Sequence, residues 1–244
     1  MQALERILAI LESTSRTASA ASPAKVAEET GLSLSTVVRL MQSLADEDVL
    51  VRSAETGQYR MGPRLIGIVE RATQSFDYRA AAQPLLEKLR DITQETASLH
   101  ILQGNRRICI AAAYTTQPFG RIVPIGLPFP LAGSAAGHAL LSQLDPAALE
   151  LVLEDICDGP EAEAVRTAVS TVRDRGYAES VNQSVAGVRG IAVPVGDDPG
   201  LGCLSVSGPS SRFDEAAAAE ALPHVRDIAS ALLSMRSPAL RASH

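Results

Sequence analysis

The sequence predicts an α+β chain of two domains: a small helical domain carrying a β-hairpin, then a linker helix and a larger domain built on an antiparallel sheet. Three observations carry this reading. The 244 residues exceed the usual size of one domain, and 46% hydrophobic with 20% charged residues is the composition of a folded chain. The first sixty residues hold three amphipathic helical segments and then a short hairpin. The rest runs as two strands, several helices, two strands and a last helix, an order without regular βαβ alternation, which favours an antiparallel sheet over a doubly wound one.

Leu4, Ile7, Leu8 and Leu11 fall at helical spacing and predict a first helix from about Ala3 to Glu12, with one apolar stripe. A polar stretch, Ser13 to Ala21, separates it from Ser22-Pro23, an N-cap followed by a residue suited to the first turn. The second helix is short, Ala24 to Thr30, and Gly31 can take the left-handed conformation that ends it. In the third, Val37, Leu40, Met41 and Leu44 form the buried side, while Ser35, Arg39 and Gln42 lie opposite, flanked by Thr36 and Val38. Val49–Arg52, a turn over Ser53–Gly57, and Gln58–Met61 read as a β-hairpin. Helix, tight turn, helix and hairpin together make a winged helix-turn-helix.

The polar face of the third helix suits a DNA major groove. Arg39 can bond two acceptors of a guanine edge, Gln42 can address adenine, and Ser35 and Thr36 near the helix start can hold phosphate. Arg52 and Arg60, on the two strands of the wing, are candidates for flanking phosphates; the alternative is two solvated arginines. Charge argues the other way. Residues 1–62 carry six basic and eight acidic side chains, net −2, and the whole chain is at −6 with an isoelectric point near 5.3. Non-specific affinity is therefore weak, and binding depends on a dimer presenting two reading heads to two half-sites. A helical protein-interaction module remains the competing reading of these residues.

After Gly62-Pro63, the apolar positions Leu65, Ile68, Val69 and Ala72 predict a connecting helix to about Ser75 and, exposed in a monomer, favour dimerisation. The second domain should open with a helix carrying Leu85, Leu89 and Ile92, then strands near Ala97–Gln103 and Arg107–Tyr114 and a Pro/Gly-rich loop to Gly133. Helices follow at Ser134–Leu144, Pro146–Cys157 and Glu161–Arg175. Strands near Val188–Val195 and Leu201–Ser207 and a helix from Asp214 to about Met235 complete it.

Several classes are disfavoured. The apolar runs, such as Ile108–Tyr114, are shorter than the about 18 to 20 residues of a membrane helix, and the opening MQALERILAILE lacks a basic leader, so a cytoplasmic protein is expected. Cys109, Cys157 and Cys203 show no CxxC spacing and read as small buried hydrophobes. His100, His138, His224 and His244 share no ligand spacing, so no metal and no cofactor is implied. An enzyme fares poorly: Ser134 and His138 stand one helical turn apart, but Gly133-Ser134 is not G-x-S-x-G and no Asp is placed to orient the histidine. Gly187-Val188-Arg189-Gly190 is likewise no dinucleotide fingerprint. No catalytic residue is assigned.

Five ordered segments carry a family resemblance: TGLSLSTVVRLMQSL, the wing GQYRMGPRL, LAGSAAGHALLSQL, RGYAESVNQSVAGVRGIAVPV and LSVSGPSSRF. In order and spacing they resemble IclR-type transcriptional regulators over nearly the whole chain. The resemblance implies a winged helix-turn-helix over 1–62, a linker helix over 63–75 and a GAF-like effector-binding domain over 76–244. It departs from the family pattern at Ser33–Arg39, which lacks the usual Lys and His, and at Gln183, Gly190 and Gly196 in place of the usual acidic residue, Cys or Ser, and aromatic.

By the same resemblance the effector pocket maps onto Ala135 and Ala136, Ser180, Val188 and Gly190, and Ser205 and Ser207. Ser134 can cap the helix beyond it, leaving backbone N–H groups beside small residues where a carboxylate could approach. Ser205 and Ser207 alternate with Val206 and share one sheet face. Arg121, in the loop before Pro124, can supply a charge to an acidic ligand; the bland reading is a solvated arginine. Arg189 reads as a structural ion-pairing residue and His138 as a helix-surface one. The expectation is a ligand-responsive DNA-binding regulator, a homodimer or dimer of dimers, that binds operator duplex and a small carboxylic acid and touches no membrane. The alternative is a metabolite-sensing protein-interaction module without DNA binding.

Overall fold

A computed structural model describes residues 2–16, 20–74, 78–198, 200 and 202–235, with contacts that divide the chain into a unit within 1–77 and another within 78–244. In the first, α1 (Gln2–Arg16), α2 (Pro23–Thr30) and α3 (Leu34–Asp46) precede β1 (Leu50–Arg52), β2 (Tyr59–Met61) and α4 (Pro63–Gln74). Ser22 Oγ accepts the Lys25 N–H and Ser33 Oγ accepts that of Thr36, so both helices of the tight turn are capped by hydroxyls. Gly31 ends α2 at φ +70°, a left-handed value that glycine adopts without a Cβ penalty. Ile10, Val26, Val37, Met41, Leu50 and Tyr59 close a small core, and Ala21 bridges to Tyr59 as a third extended segment.

Two expectations are corrected here. The first helix runs past Glu12 to Arg16, because Ser13 and Thr14 are buried and bonded: the Ser13 hydroxyl donates to Glu29 at 2.8 Å and that of Thr14 to the Ile10 carbonyl at 2.7 Å. The buried stripe is centred on Ile10, flanked by half-buried Ile7 and Leu11, and leaves Leu4 and Leu8 exposed. On α4, Leu65 is half-buried while Ile66 and Ile68 are exposed. The Val69 and Ala72 positions of the expected connecting stripe lie outside the residues whose side chains are described, and Ser75, its expected end, lies outside the described residues.

The second unit begins with α5 (Tyr78–Thr93), β3 (Thr96–Gln103), β4 (Arg106–Ala113) and β5 (Pro128–Phe129). Then come α6 (Ala135–Leu141), α7 (Pro146–Ile156), α8 (Gly159–Arg175), β6 (Ala178–Val181), β7 (Val188–Pro194), β8 (Cys203–Pro209) and α9 (Glu215–Ser234). The strands form one antiparallel sheet in the order β5-β4-β3-β8-β7-β6. Its two edge strands, of two and four residues, are too short to show a period in the sequence.

The sheet is two-faced. One face, with Leu99, Ile191, Leu204 and Val206, packs on Leu86 and Leu89 of α5 and on Val225, Ile228 and Leu232 of α9. The α5 stripe is therefore Ala82, Leu86 and Leu89, with Leu85 half-buried and Ile92 exposed, one position off the expected phase. Against the other face lies α6, flanked by α7 and α8 through Leu140, Leu141, Leu153, Val165 and Val169. Cys109 and Cys203 are buried, Cys157 is half-buried, and all three are free thiols.

Candidate nucleic-acid interface and ligand cavity

On α3 the outward side consists of Ser35, Val38, Arg39 and Gln42, all exposed, with Thr36 half-buried. Arg39 makes no hydrogen bond or ion pair among the described residues, so its five donors are available. The hydroxyls of Ser35 and Thr36 are shared with the cap, at 3.2 and 2.8 Å from Ser33 Oγ. Gln42 is engaged at both ends: the Tyr59 phenol donates to its Oε1 at 3.3 Å and its Nε2 donates to Asp46 at 2.9 Å. In the wing, Arg52 pairs opposite Tyr59 and Arg60 opposite Val51. Neighbouring pairs project to opposite faces of a two-stranded ribbon, so the two exposed arginines leave the wing in opposite directions.

In the second unit, strand register builds a polar patch on the sheet face turned to α6. Thr96, Ser207, Gly190 and Ser180 lie side by side across β3, β8, β7 and β6, and Ser98 and Ser205 sit opposite one another in the next row. Between this patch and the start of α6 is a cavity of about 40 Å³. Arg121, Ala135, Ala136, Ser180, Val188, Gly190, Ser205 and Ser207, the eight residues expected from the sequence, all line it. A wider, open groove of about 340 Å³ along α8 and β6 shares only Ser180 with that set.

The sequence reading missed His100 and Arg107, which also line the cavity. Both are buried, at 2 and 7% exposure. A register shift in the β3–β4 pairing places His100 opposite Cys109, and Arg107 comes from the start of β4. Arg107 lies over the Phe129 ring at 4.9 Å, donates from Nε to the Pro130 carbonyl at 3.0 Å and from Nη1 to His100 Nδ1 at 3.3 Å. Arginine has no acceptor, so Nδ1 must be the unprotonated nitrogen, and Nε2–H donates to Ser98 Oγ at 2.9 Å. Burial, with Arg107 and Arg121 nearby, lowers the His100 pKa to about 3, so the ring is neutral. Burial also pushes the Cys109 and Cys203 thiols up to about 11 and about 12, which removes them as nucleophiles at neutral pH.

Charge in the cavity is unbalanced. Two guanidiniums line it, no carboxylate does, and Arg107 has no acidic partner among the described residues. A buried cation without a counter-charge is costly, and an anion is the group that relieves it. The adjacent pair Arg106-Arg107 was the available signal, since neighbours on a strand face opposite ways and one of the two had to point inward.

Around α6 one expectation is corrected. His138 is not on a helix surface: it is 6% exposed, because every residue of this short helix is enclosed, and burial lowers its pKa. Ser134 caps α6, accepting the Gly137 N–H at 3.1 Å and donating to the Leu131 carbonyl at 3.2 Å. A Cβ on Gly137 would stand 1.8 Å from that carbonyl oxygen, so only glycine fits. The Ala135 N–H, one of the backbone donors expected to face a ligand, is taken by Ser180 Oγ at 3.1 Å. Arg189 pairs with Glu179, as its structural reading requires.

Two family models match the chain: an IclR helix-turn-helix domain over residues 3–54 and a bacterial transcriptional regulator IclR C-terminal domain over 70–234. Among curated relatives, the HTH-type transcriptional repressor AllR of Salmonella paratyphi A is 28% identical over 225 residues, covering 88% of this chain and 82% of the relative. The AllR repressor of Escherichia coli K12 is 28% identical over 226 residues with the same coverage. Among solved structures, Thermotoga maritima IclR superposes with a TM-score of 0.75 at 21% identity, covering 96% of this chain and 98% of the other. An IclR homolog from Microbacterium hydrocarbonoxydans, complexed with 4-hydroxybenzoate, gives 0.74 at 22% identity, covering 95 and 97%. At these identities the structures establish a shared fold.

Proposed function

The chain belongs to the IclR family of bacterial transcriptional regulators, and from that membership we propose that it is a cytoplasmic, ligand-responsive repressor whose C-terminal domain binds a small organic acid and thereby alters operator binding. In this reading residues 1–62 read DNA, 63–75 connect, and 76–244 form the GAF-like sensor. The protein works as a homodimer or dimer of dimers, since a reading unit of net charge −2 needs two heads on two half-sites. Arg39 reads bases, Ser35 and Thr36 steady the helix start against phosphate, Arg52 and Arg60, which leave opposite faces of the wing, reach backbone on its two sides, and Gln42 borders the reading face. The repressor names of the AllR relatives support the sign of control.

The observation that carries the sensor reading is the small cavity where the expected serines and Arg121 meet a buried Arg107 without an acidic partner among the described residues. The 4-hydroxybenzoate complex of the Microbacterium relative supports an acid as the ligand class. No catalytic role is assigned, because the Ser134 hydroxyl is consumed by its cap. The acidic balance of the first 62 residues favours one competitor, a metabolite sensor acting through protein contacts.

Fluorescence anisotropy of the purified protein with DNA from upstream of its own gene, against scrambled DNA over a salt series, separates the two. Selective, salt-dependent binding is expected. Arg39→Ala should cost about 1–3 kcal/mol of base discrimination. Equal, weak binding to both duplexes, unchanged by Arg39→Ala, would favour the protein-contact reading.

A further inference from the structure

The sensor reading leaves open why a cavity this small holds two guanidiniums. Resting on that reading, we propose that the effector is a short aliphatic dicarboxylate of two to four carbons, one carboxylate on Arg107 and the other on Arg121. Charge balance is the first argument. Both arginines line the cavity, no acid among the described residues does, and Arg121 adds to the penalty that burial places on the Arg107 charge. A monoanion leaves one cation unmatched; a dianion matches both.

The second argument is that the Arg107 side chain is preset while that of Arg121 is left able to close on a ligand. Phe129, the Pro130 carbonyl and His100 fix the Arg107 plane and leave Nη2 without a partner among the described residues. The Arg121 backbone is tied to β3 by the Thr96 hydroxyl, which donates to its carbonyl at 2.6 Å, while no hydrogen bond or ion pair among the described residues holds its side chain. The Arg107 fork, in place before the ligand arrives, suits a planar carboxylate, and the untethered Arg121 side chain can turn to a second one. The Ser205 hydroxyl, which lines the same cavity and is 5% exposed, has no partner among the described residues and can donate to the same ligand.

Size is the third argument. About 40 Å³ is room for on the order of three waters. No Phe, Tyr or Trp side chain lines the cavity among the described residues, so its walls offer a ring no large aromatic face. Even the shortest diacid has more heavy atoms than that space holds, so any diacid widens the cavity, but by less than a ring acid does, and size favours the short end of the series.

Calorimetric titration of the full-length protein with matched pairs, malonate against propionate and succinate against butyrate, tests this, with inorganic phosphate and 4-hydroxybenzoate as further probes. Malonate or succinate should bind at least tenfold more tightly than its partner. Arg121→Gln should reduce that preference to within threefold, and so should Arg107→Gln where circular dichroism shows it folded; if the buried variant does not fold, Arg121→Gln alone decides. Monoacids binding as tightly as diacids, or phosphate or 4-hydroxybenzoate binding more tightly than either diacid, would overturn the dicarboxylate assignment while leaving an anion sensor in place. If no acid of either kind binds, the sensor reading falls with it.

Discussion

His100 is held between a donor that cannot accept and a hydroxyl that can, and that fixes both its tautomer and the Arg107 guanidinium it supports. The same burial gives it a thermodynamic signature. Its folded pKa is about 3, against about 6.5 for an unfolded histidine, so between those values the unfolded chain binds one more proton. Stability then rises with pH across the window and is lost as pH falls below about 6.5, by up to about 1.4 kcal/mol per pH unit from this group. Buried His138 acts in the same direction. The urea midpoint should fall steadily from pH 6.5 to pH 5, and His100→Gln should flatten the slope. An unchanged slope in that variant would mean that the ring is solvated in the native protein.

Among the elements, those with local chemistry were legible in the sequence. Ser22-Pro23 and Gly31 announce the two ends of α2, and the turn of the wing is bracketed by alternating residues, so the winged domain could be drawn from residues alone. The sheet order could be narrowed to antiparallel, but β6 offers four residues and β5 two, below the length at which a period shows. Phase failed where apolar residues surround a helix: Leu4 and Leu8 on α1 and Ile92 on α5 continue the pattern but meet no core. His138 and Arg107 were misjudged for a related reason, because enclosure of a polar residue is decided by which strands and helices pack on it, and that is not local.

The outward face of α3 also divides more finely than the sequence implies. Arg39 is unengaged among the described residues, whereas the Gln42 amide is spent on Tyr59 and Asp46. Gln42→Ala should therefore lower stability by about 0.5–1.5 kcal/mol and leave base preference nearly unchanged, the reverse of Arg39→Ala. Parallel urea melts and operator competition assays on the two variants would show this; a Gln42→Ala protein of wild-type stability with altered base preference would make Gln42 a base reader.

At the scale of the whole molecule, a metabolite in the second unit can change DNA binding by the first only to the extent that it prefers one of two states of the protein. Coupling of this kind is typically about 1–3 kcal/mol, or roughly 5- to 150-fold in affinity. It is also reciprocal: if a diacid weakens operator binding by some factor, saturating operator must weaken diacid binding by the same factor. Arg107 and Arg121 bear on this reciprocity, because the proposed ligand supplies the acid that neither has among the described residues of the cavity, and burial with Arg121 nearby disfavours the Arg107 charge until it does. Anisotropy titrations of labelled operator with and without malonate should give one factor, and calorimetric titrations of malonate with and without operator should give the same one. Unequal factors that change with protein concentration would show the ligand acting through assembly of the oligomer, and the coupling would then have to be sought in subunit association.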